Sequence, residues 1–473
     1  MSSSLSACKW LAIFGLATAF PSLVSGQAGL SPESGEYPLT GPLPGEQTFP
    51  GLSLNTAGGY LVWTDNGIDG RKMGLGIGAI RLDSSLSPSG VPFRVNQTLA
   101  GDQEKPQVAM LGNGGAAFVW QGGVRGFQNI FARFAGPSGA FVTPKDLLVG
   151  QVPVLTALPY TTNLATIRNN RTTLRTVRVP RSIKSLCEFS QNPVVAGLAD
   201  GNAVIAYSSR RKITTNDQVL VLKTVWTGSV VLSNTLLTPF ITAVDFMQDV
   251  YFQRFTPAGV KVGSEIRANQ FTSFNQHRPA VAALANGNFV VTWISELQSG
   301  ENRVDVFARL FDAAGNALTD EFLVNTADRI CANPSVSGLP DGGFTFVWSQ
   351  RDAPRENGLD IYARFFDAGG HASSGAFRVN TETFGDQFSP SIAWLPAGQL
   401  VTWNSLGNHR GVFGRMLKDG AANGGQFQVN TSESARFMSP AVATDGVSHG
   451  LVIWSAYQPG SSFDVLGQRY ANP

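Results

Sequence analysis

Arginine is the residue type in this sequence whose placement points most directly to chemistry. Between residues 150 and 190, Arg168, Arg171, Arg175, Arg178, Arg181 and Lys184 stand against one acidic residue, Glu188, and Arg210, Arg211 and Lys212 open a second stretch running from 211 to 248. Guanidinium groups clamp carboxylates, sulfates and phosphates through paired N–H donors. A basic cover of this kind suits an acidic glycan or another anionic partner. Arg168, Arg171, Arg175, Arg178, Arg210 and Arg211, with Arg351 and Arg355, are therefore the candidate ligand-binding residues.

Catalytic constellations are harder to assemble. His277, His371, His409 and His449 have no common spacing, no G-x-S-x-G is present, and neither Cys187 nor Cys331 has a histidine neighbour. Loop carboxylates are the remaining option: Asp102, Glu104, Glu301, Asp328, Asp352, Glu356, Asp386 and Glu433 could supply the acid and base of glycosidic chemistry if they converged. Asp65-Asn66-Gly67-Ile68-Asp69-Gly70 offers oxygen ligands but lacks the terminal acid of a calcium loop. With four His and three Cys, the sequence calls for no metal and no cofactor.

These residues sit in a chain of 473 with 52 Gly and 26 Pro, 43% hydrophobic and 14% charged. That composition suits a large, turn-rich globular fold. A net charge of +2 gives no reason to expect nucleic acid as a partner. Lys9, the apolar run Trp10 to Phe20 and the small residues up to Gly26 read as a secretory signal spanning 1–26. The expected location is secreted or extracellular, periplasmic or cell-surface, with no integral membrane segment after cleavage. Cleavage removes Cys8 and leaves Cys187 and Cys331, so at most one intramolecular disulfide can form. Sequons at Asn96, Asn170 and Asn430 fit a secreted glycoprotein.

A unit of about 50 to 57 residues recurs along the chain. Its opening proline falls at Pro50, Pro106, Pro193, Pro279, Pro334, Pro390 and Pro440. An aromatic follows 13 or 14 residues later at Trp63, Trp120, Tyr207, Trp293, Trp348, Trp403 and Trp454. An arginine in a later apolar run completes each copy, at Arg81, Arg133, Arg254, Arg309, Arg364, Arg415 and Arg469. Period-two runs broken by turns such as Asp341-Gly342 predict four short strands, A to D, in each copy. One arginine per copy on a covered strand face reads as a staple between copies, not as a converged anion site.

The expected fold is therefore all-β: a seven-bladed β-propeller of four-stranded antiparallel blades. The seventh copy stops at Arg469-Tyr470 without a strand D, while Ser34-Gly35-Glu36-Tyr37 matches Ser374-Gly375-Ala376-Phe377. The N-terminal strand should pair in the last blade and close the ring, making 27–473 one domain. The stretches at about 150–190 and 211–248 lack strand or helix periodicity and enter as loop insertions above one face.

The phrases GAFRVNTETFGDQFSPSIAWL, PAVAALANGNFVVTW and DIYARFFDAGG resemble repeats of large secreted bacterial adhesin-like proteins described as calcium-binding. The resemblance implies extracellular placement and repeated β structure. The glycine-aspartate nonapeptides that bind calcium in such proteins are absent, so it implies no calcium site here. The function expected from the sequence is a secreted, non-catalytic binding module, with a carbohydrate or an extracellular protein bound on the face carrying the insertions. The alternative is a glycan-active hydrolase or lyase with loop carboxylates at the central channel.

Overall fold

The computed structural model describes residues 29–41, 43–68, 74–124, 128–150, 160–168, 171–179, 181–217, 220–221, 235–236, 247–326, 329–351, 358–431, 437–460 and 462–471. Within 160–188, 211–217, 220–221, 235–236 and 437–438 the backbone alone is described. The proposed signal, residues 1–26, lies outside the described residues.

Every element among the described residues is a strand. Unit I contains Gln47–Asn55, Gly58–Asp65, Gly76–Leu82 and Pro88–Arg94; unit II contains Asp102–Met110, Ala116–Gly123, Asn129–Ala135 and Leu147–Leu148. Unit III follows with Arg181–Gly197, Ala203–Asp217, Gln248–Phe255 and Lys261–Arg267. Unit IV is built from Gln276–Ala283, Phe289–Glu296, Val304–Phe311 and Phe322–Leu323, and unit V from Ile330–Gly338, Phe344–Arg351, Leu359–Phe366 and Phe377–Arg378. Unit VI contains Gln387–Leu395, Gly398–Leu406, Arg410–Lys418 and Ala421–Gln428. Unit VII takes Phe437–Thr444, His449–Gln458 and Ser462–Ala471 from the C-terminus and Ser31–Pro38 from the N-terminus.

Within every unit the strands are antiparallel, in the order A-B-C-D. One parallel pairing, Val304 with Ile330, joins units IV and V into an eight-stranded sheet. Tyr37 pairs with Gly467 and Pro38 with Leu466, so the N-terminal segment occupies the outer edge of unit VII. An edge tolerates Pro38, which has no N–H to give to a ladder.

The regular spacing from proline to aromatic has a mechanical cause. In strand A the register slips at the proline: Glu104 pairs with Gln121 and Gln107 with Val119, so Lys105 and Pro106 together oppose Trp120. Asn333 and Pro334 oppose Trp348 in the same way. The slip recurs in each of the seven units. Two residues against one is a β-bulge, and proline suits it because the ladder asks for no donor there. Each residue before the proline is left-handed, with φ between 50° and 54° at Phe49, Lys105, Asn192, Arg278, Asn333, Ser389 and Ser439.

Apolar clusters between consecutive units form the core. Each strand-B aromatic lies in the cluster shared with the preceding unit: Trp120 packs with unit I, Tyr207 with II, Trp293 with III and Trp348 with IV. Trp403 packs with unit V and Trp454 with VI, while Trp63 shares its cluster with Leu451, Ile453 and Val465 of unit VII. The strand-C arginines act as staples across these contacts. Arg364 Nη1 donates to Val324 O at 2.9 Å in unit IV, its Nε donates to Ser374 O at 3.2 Å in its own unit, and its guanidinium lies 5.3 Å from the Phe366 ring centre. Arg133 and Arg415 repeat the cross-unit bond, to Val95 O at 2.8 Å and Val379 O at 2.7 Å.

The two insertions depart from the loops expected of them. Residues 160–168 pair with 171–179 as a hairpin, and strands A and B of unit III run on past the bulge, pairing Arg181 with Asp217 and Cys187 with Arg211. The two interruptions thus meet each other as continuous backbone pairing. Cys331 is buried with its Sγ 3.9 Å from Gln350 Oε1. The Cys187 side chain lies outside the described residues.

Two sequons prove to be structural. Asn96 Oδ1 accepts the Ile77 N–H at 2.8 Å and Asn430 Oδ1 accepts the Val412 N–H at 2.7 Å, and these residues are 1% and 3% exposed. Neither presents an accessible amide for a glycan in the folded chain. Asn170 lies outside the described residues.

Candidate functional site

The bulged residues gather around one cavity of about 340 Å³, lined by strand A of all seven units. A bulge re-aims a side chain, and non-glycine residues held in the left-handed region cluster at functional sites. Lys105 and Arg278 are the charged residues of the described lining, which contains no carboxylate. Asn192, Asn333 and Gln107 add amides, Ser389 and Ser439 add hydroxyls, and Phe49 adds an aromatic face that is 43% exposed.

The polar groups of this cavity are already partly ordered. Lys105 Nζ donates to Asn192 Oδ1 at 3.0 Å, and Arg278 Nη1 donates to Asn333 Oδ1. Burial pushes the Lys105 ammonium below the ordinary lysine range, against the pull of Glu104 and with further help from Arg278. An anion entering the cavity would offset both effects. Beside Arg278, His277 Nε2 lies 3.1 Å from Glu296 Oε1, whose other oxygen accepts from Asn275 Nδ2 at 2.9 Å. Burial lowers the His277 pKa, partly opposed by Glu296.

The arginines singled out from sequence lie elsewhere or outside the described side chains. Arg210 is half-buried in strand B of unit III opposite Gln248, and Arg351 is exposed at the end of strand B of unit V. Neither lines this cavity. The side chains of Arg168, Arg171, Arg175, Arg178 and Arg211 lie outside the described ones, and Arg355 lies outside the described residues. Strand A of unit III starts at Arg181, well before Pro193, whereas strand A of unit VI starts at Gln387, just before Pro390. The basic stretches therefore extend past Asn192 from the end of the units where strand A begins.

Among the described residues, the loop carboxylates go to separate partners. Asp102 Oδ1 accepts the Leu75 N–H at 3.2 Å and Asp386 Oδ1 the Leu359 N–H at 2.9 Å, each tying its own unit to the preceding one. Glu104 Oε1 accepts from Gln128 Nε2 at 2.6 Å, while Glu301 lines a separate pocket with Phe274 and Leu297. Asp328, Asp352, Glu356 and Glu433 lie outside the described residues. Asp65 is a turn residue: it accepts the Gly67 and Ile68 N–H groups at 2.7 and 2.9 Å and the Trp63 indole at 2.8 Å.

Lys105 and Arg278 went unseen in sequence because their position holds five residue types across the seven copies. The signal that could have found them is the residue before the repeated proline.

No protein-family model matches the chain, and no curated protein matches it. Among solved structures, the polysaccharide lyase Uly1 aligns with 93% of this chain and 100% of its own, at 11% identity and a TM-score of 0.49. An α-L-arabinanase of Penicillium chrysogenum aligns with 92% of this chain and 96% of its own, at 10% identity and 0.40. A protein of unknown function from Dyadobacter fermentans covers 78% of this chain and 94% of its own, at 13% and 0.45. Likeness at this level carries no argument about chemistry here.

Proposed function

We propose that the chain is a secreted, seven-bladed β-propeller, locked by its N-terminal strand, that acts as a non-catalytic module binding an acidic carbohydrate in the axial cavity. The cycle of shared clusters from Trp120 round to Trp63, together with the Tyr37–Gly467 pairing, supports the closed ring. The observation that carries the ligand reading is the placement of Lys105 and Arg278, from units II and IV, on one cavity with amides, hydroxyls and Phe49. Cations meet a carboxylate or sulfate, amides and hydroxyls meet sugar hydroxyls, and the Phe49 face meets the apolar side of a ring. The volume falls at the lower end of small-molecule sites, which span about 300–1,000 Å³.

Titration calorimetry with glucuronate- and galacturonate-containing oligosaccharides, against neutral oligosaccharides of equal length, tests this reading. Preference for the acidic series, lost in Lys105→Met/Arg278→Met, is the expected result. Equal binding of both series, or none, would sink it.

The second reading, a glycan-active hydrolase or lyase, draws on the His277–Glu296 pair beside Arg278. Product formation from a bound oligosaccharide, abolished by His277→Ala, would favour it.

A further inference from the structure

At the opposite end of the units, where the A–B and C–D turns lie, units V and VI enclose a second cavity of about 390 Å³. Its walls differ from those of the neighbouring interface. Between units IV and V the interface is filled by Phe344, Phe346 and Phe366, whose ring centres lie 5.2 to 5.6 Å apart. Counted from the strand-B tryptophan and the strand-C arginine, the corresponding residues between units V and VI are Gln399, Val401 and Leu417. Where unit V carries three aromatic rings, unit VI carries smaller side chains, and the cavity lies beside them.

The replacement also brings a polar atom into an apolar wall. Gln399 lines the cavity, is 1% exposed, and its Oε1 has no hydrogen-bond partner, while its Nε2 makes a long contact of 3.5 Å to Ser337 O. A buried carbonyl left without a donor costs about 1–3 kcal/mol. Trp394 pairs directly opposite Gln399 in the strand register and lines the same space with Phe365 and Leu417. At the rim stand Asp341, Asp367 and Asp419 against one ammonium, Lys418, and the second oxygen of Asp367 faces His371 Nδ1 at 3.3 Å. Asp341 and Asp367 each accept turn N–H groups through Oδ1, which fixes their carboxylates at the mouth.

We propose that this cavity is a second ligand site, distinct from the axial one, that takes a small organic cation: an amine with an apolar body. The apolar part would fill the volume between Phe365, Trp394 and Leu417, a donor would satisfy Gln399 Oε1, and the ammonium would meet the aspartates and the Trp394 face. Three carboxylates to one cation set the sign of the ligand. The same field rejects an acidic sugar, so the two ends of the molecule select opposite charges.

The test is titration calorimetry on the full mature chain with phenethylammonium, using phenylacetate and methyl β-glucopyranoside as the anionic and neutral comparators. Phenethylammonium should bind at least about tenfold more tightly than either, about 1.4 kcal/mol, with affinity falling as salt rises. Gln399→Phe places there the residue type that stands at Phe344. It should cut affinity about tenfold while leaving the melting temperature unchanged or raised. Asp341→Asn/Asp419→Asn, which does not touch the core, should weaken binding about threefold and flatten its salt dependence. Lys105→Met/Arg278→Met should leave binding intact, which separates this site from the axial one. Absence of saturable phenethylammonium binding, equal binding of phenylacetate or the glucoside, or full affinity in both the Gln399 and aspartate variants would overturn the proposal.

Discussion

The Glu36 carboxylate accepts the backbone N–H of Thr431 at 2.9 Å, across 395 residues of chain. Asp146 does the same for Gln97 and Thr98, and Glu321 for Gln270 and Phe271. An acidic residue on strand D or immediately before it thus caps the chain leaving strand D of the preceding unit. The N-terminal segment performs this task for the last unit as an internal strand would.

Removing residues 27 to 45 should therefore lower stability far more than loss of a loose tail. Leu30 and Leu39 are 3% and 1% exposed, and Tyr37 lies beneath Arg469 with ring and guanidinium 5.2 Å apart. Burial of these three side chains is worth about 5 kcal/mol, and the deletion also bares the strand-C edge of unit VII. Thermal melting of the truncated chain checks this; an unchanged midpoint would refute the role given to the segment.

Anion binding in the axial cavity should weaken as pH rises through the Lys105 pKa, below the ordinary lysine range. Burial, with Arg278, favours loss of that proton. Arg278 stays charged, so binding should fall to a plateau and not to zero. Lys105→Met should show the plateau affinity at every pH, as read by calorimetry between neutral and alkaline pH.

A minimum of stability is expected near pH 8. Burial pushes the Glu265 carboxyl up from 4.5 to about 8, so the folded chain holds a proton the unfolded chain has released, and stability falls as pH rises across that window. Burial pushes Lys261 down from 10.5 to about 8, so here the unfolded chain holds the extra proton and stability rises from about 8 toward 10.5. Melting temperature against pH should lose its falling limb in Glu265→Gln and its rising limb in Lys261→Met.

Asn96→Ala should destabilise the fold by about 2 kcal/mol, because it strands the buried Ile77 N–H. Made in a glycosylating host, the folded protein should carry no glycan at Asn96 or Asn430, which intact-mass measurement decides. A glycan at either position would show that modification precedes burial.

Much of the architecture was legible because local chemistry and long-range packing ask for the same residues. Asp341-Gly342 reads as a turn and is one, with Gly342 at φ 87°. The arginines read as staples between copies because alternation put them on a covered face, and Arg364 bonds across two units. The proline-to-aromatic spacing was visible, but its meaning was not, since a bulge is a relation between two strands. Lys105 and Arg278 hid for the same reason. The lengthened strands of unit III were invisible because residues 181–190 and 208–217 carry no period-two apolar pattern; they pair with each other, which no single segment reveals. The cavity at Gln399 was open to sequence only by comparing copies, where one glutamine stands in a column otherwise filled by glycine, alanine and phenylalanine.

The bulge also separates what the chain must keep from what it can change. Lys105 and its six counterparts each share, with a proline, a single cross-strand place, so the ladder above and below is indifferent to their side chains. Among residue types that accept a left-handed backbone, exchanging the residue in front of a proline alters the wall of the cavity. Seven such positions work like the letters of a combination lock around an unvarying barrel, and a descendant of this chain could come to hold a different molecule by rewriting that short word while leaving its scaffold untouched.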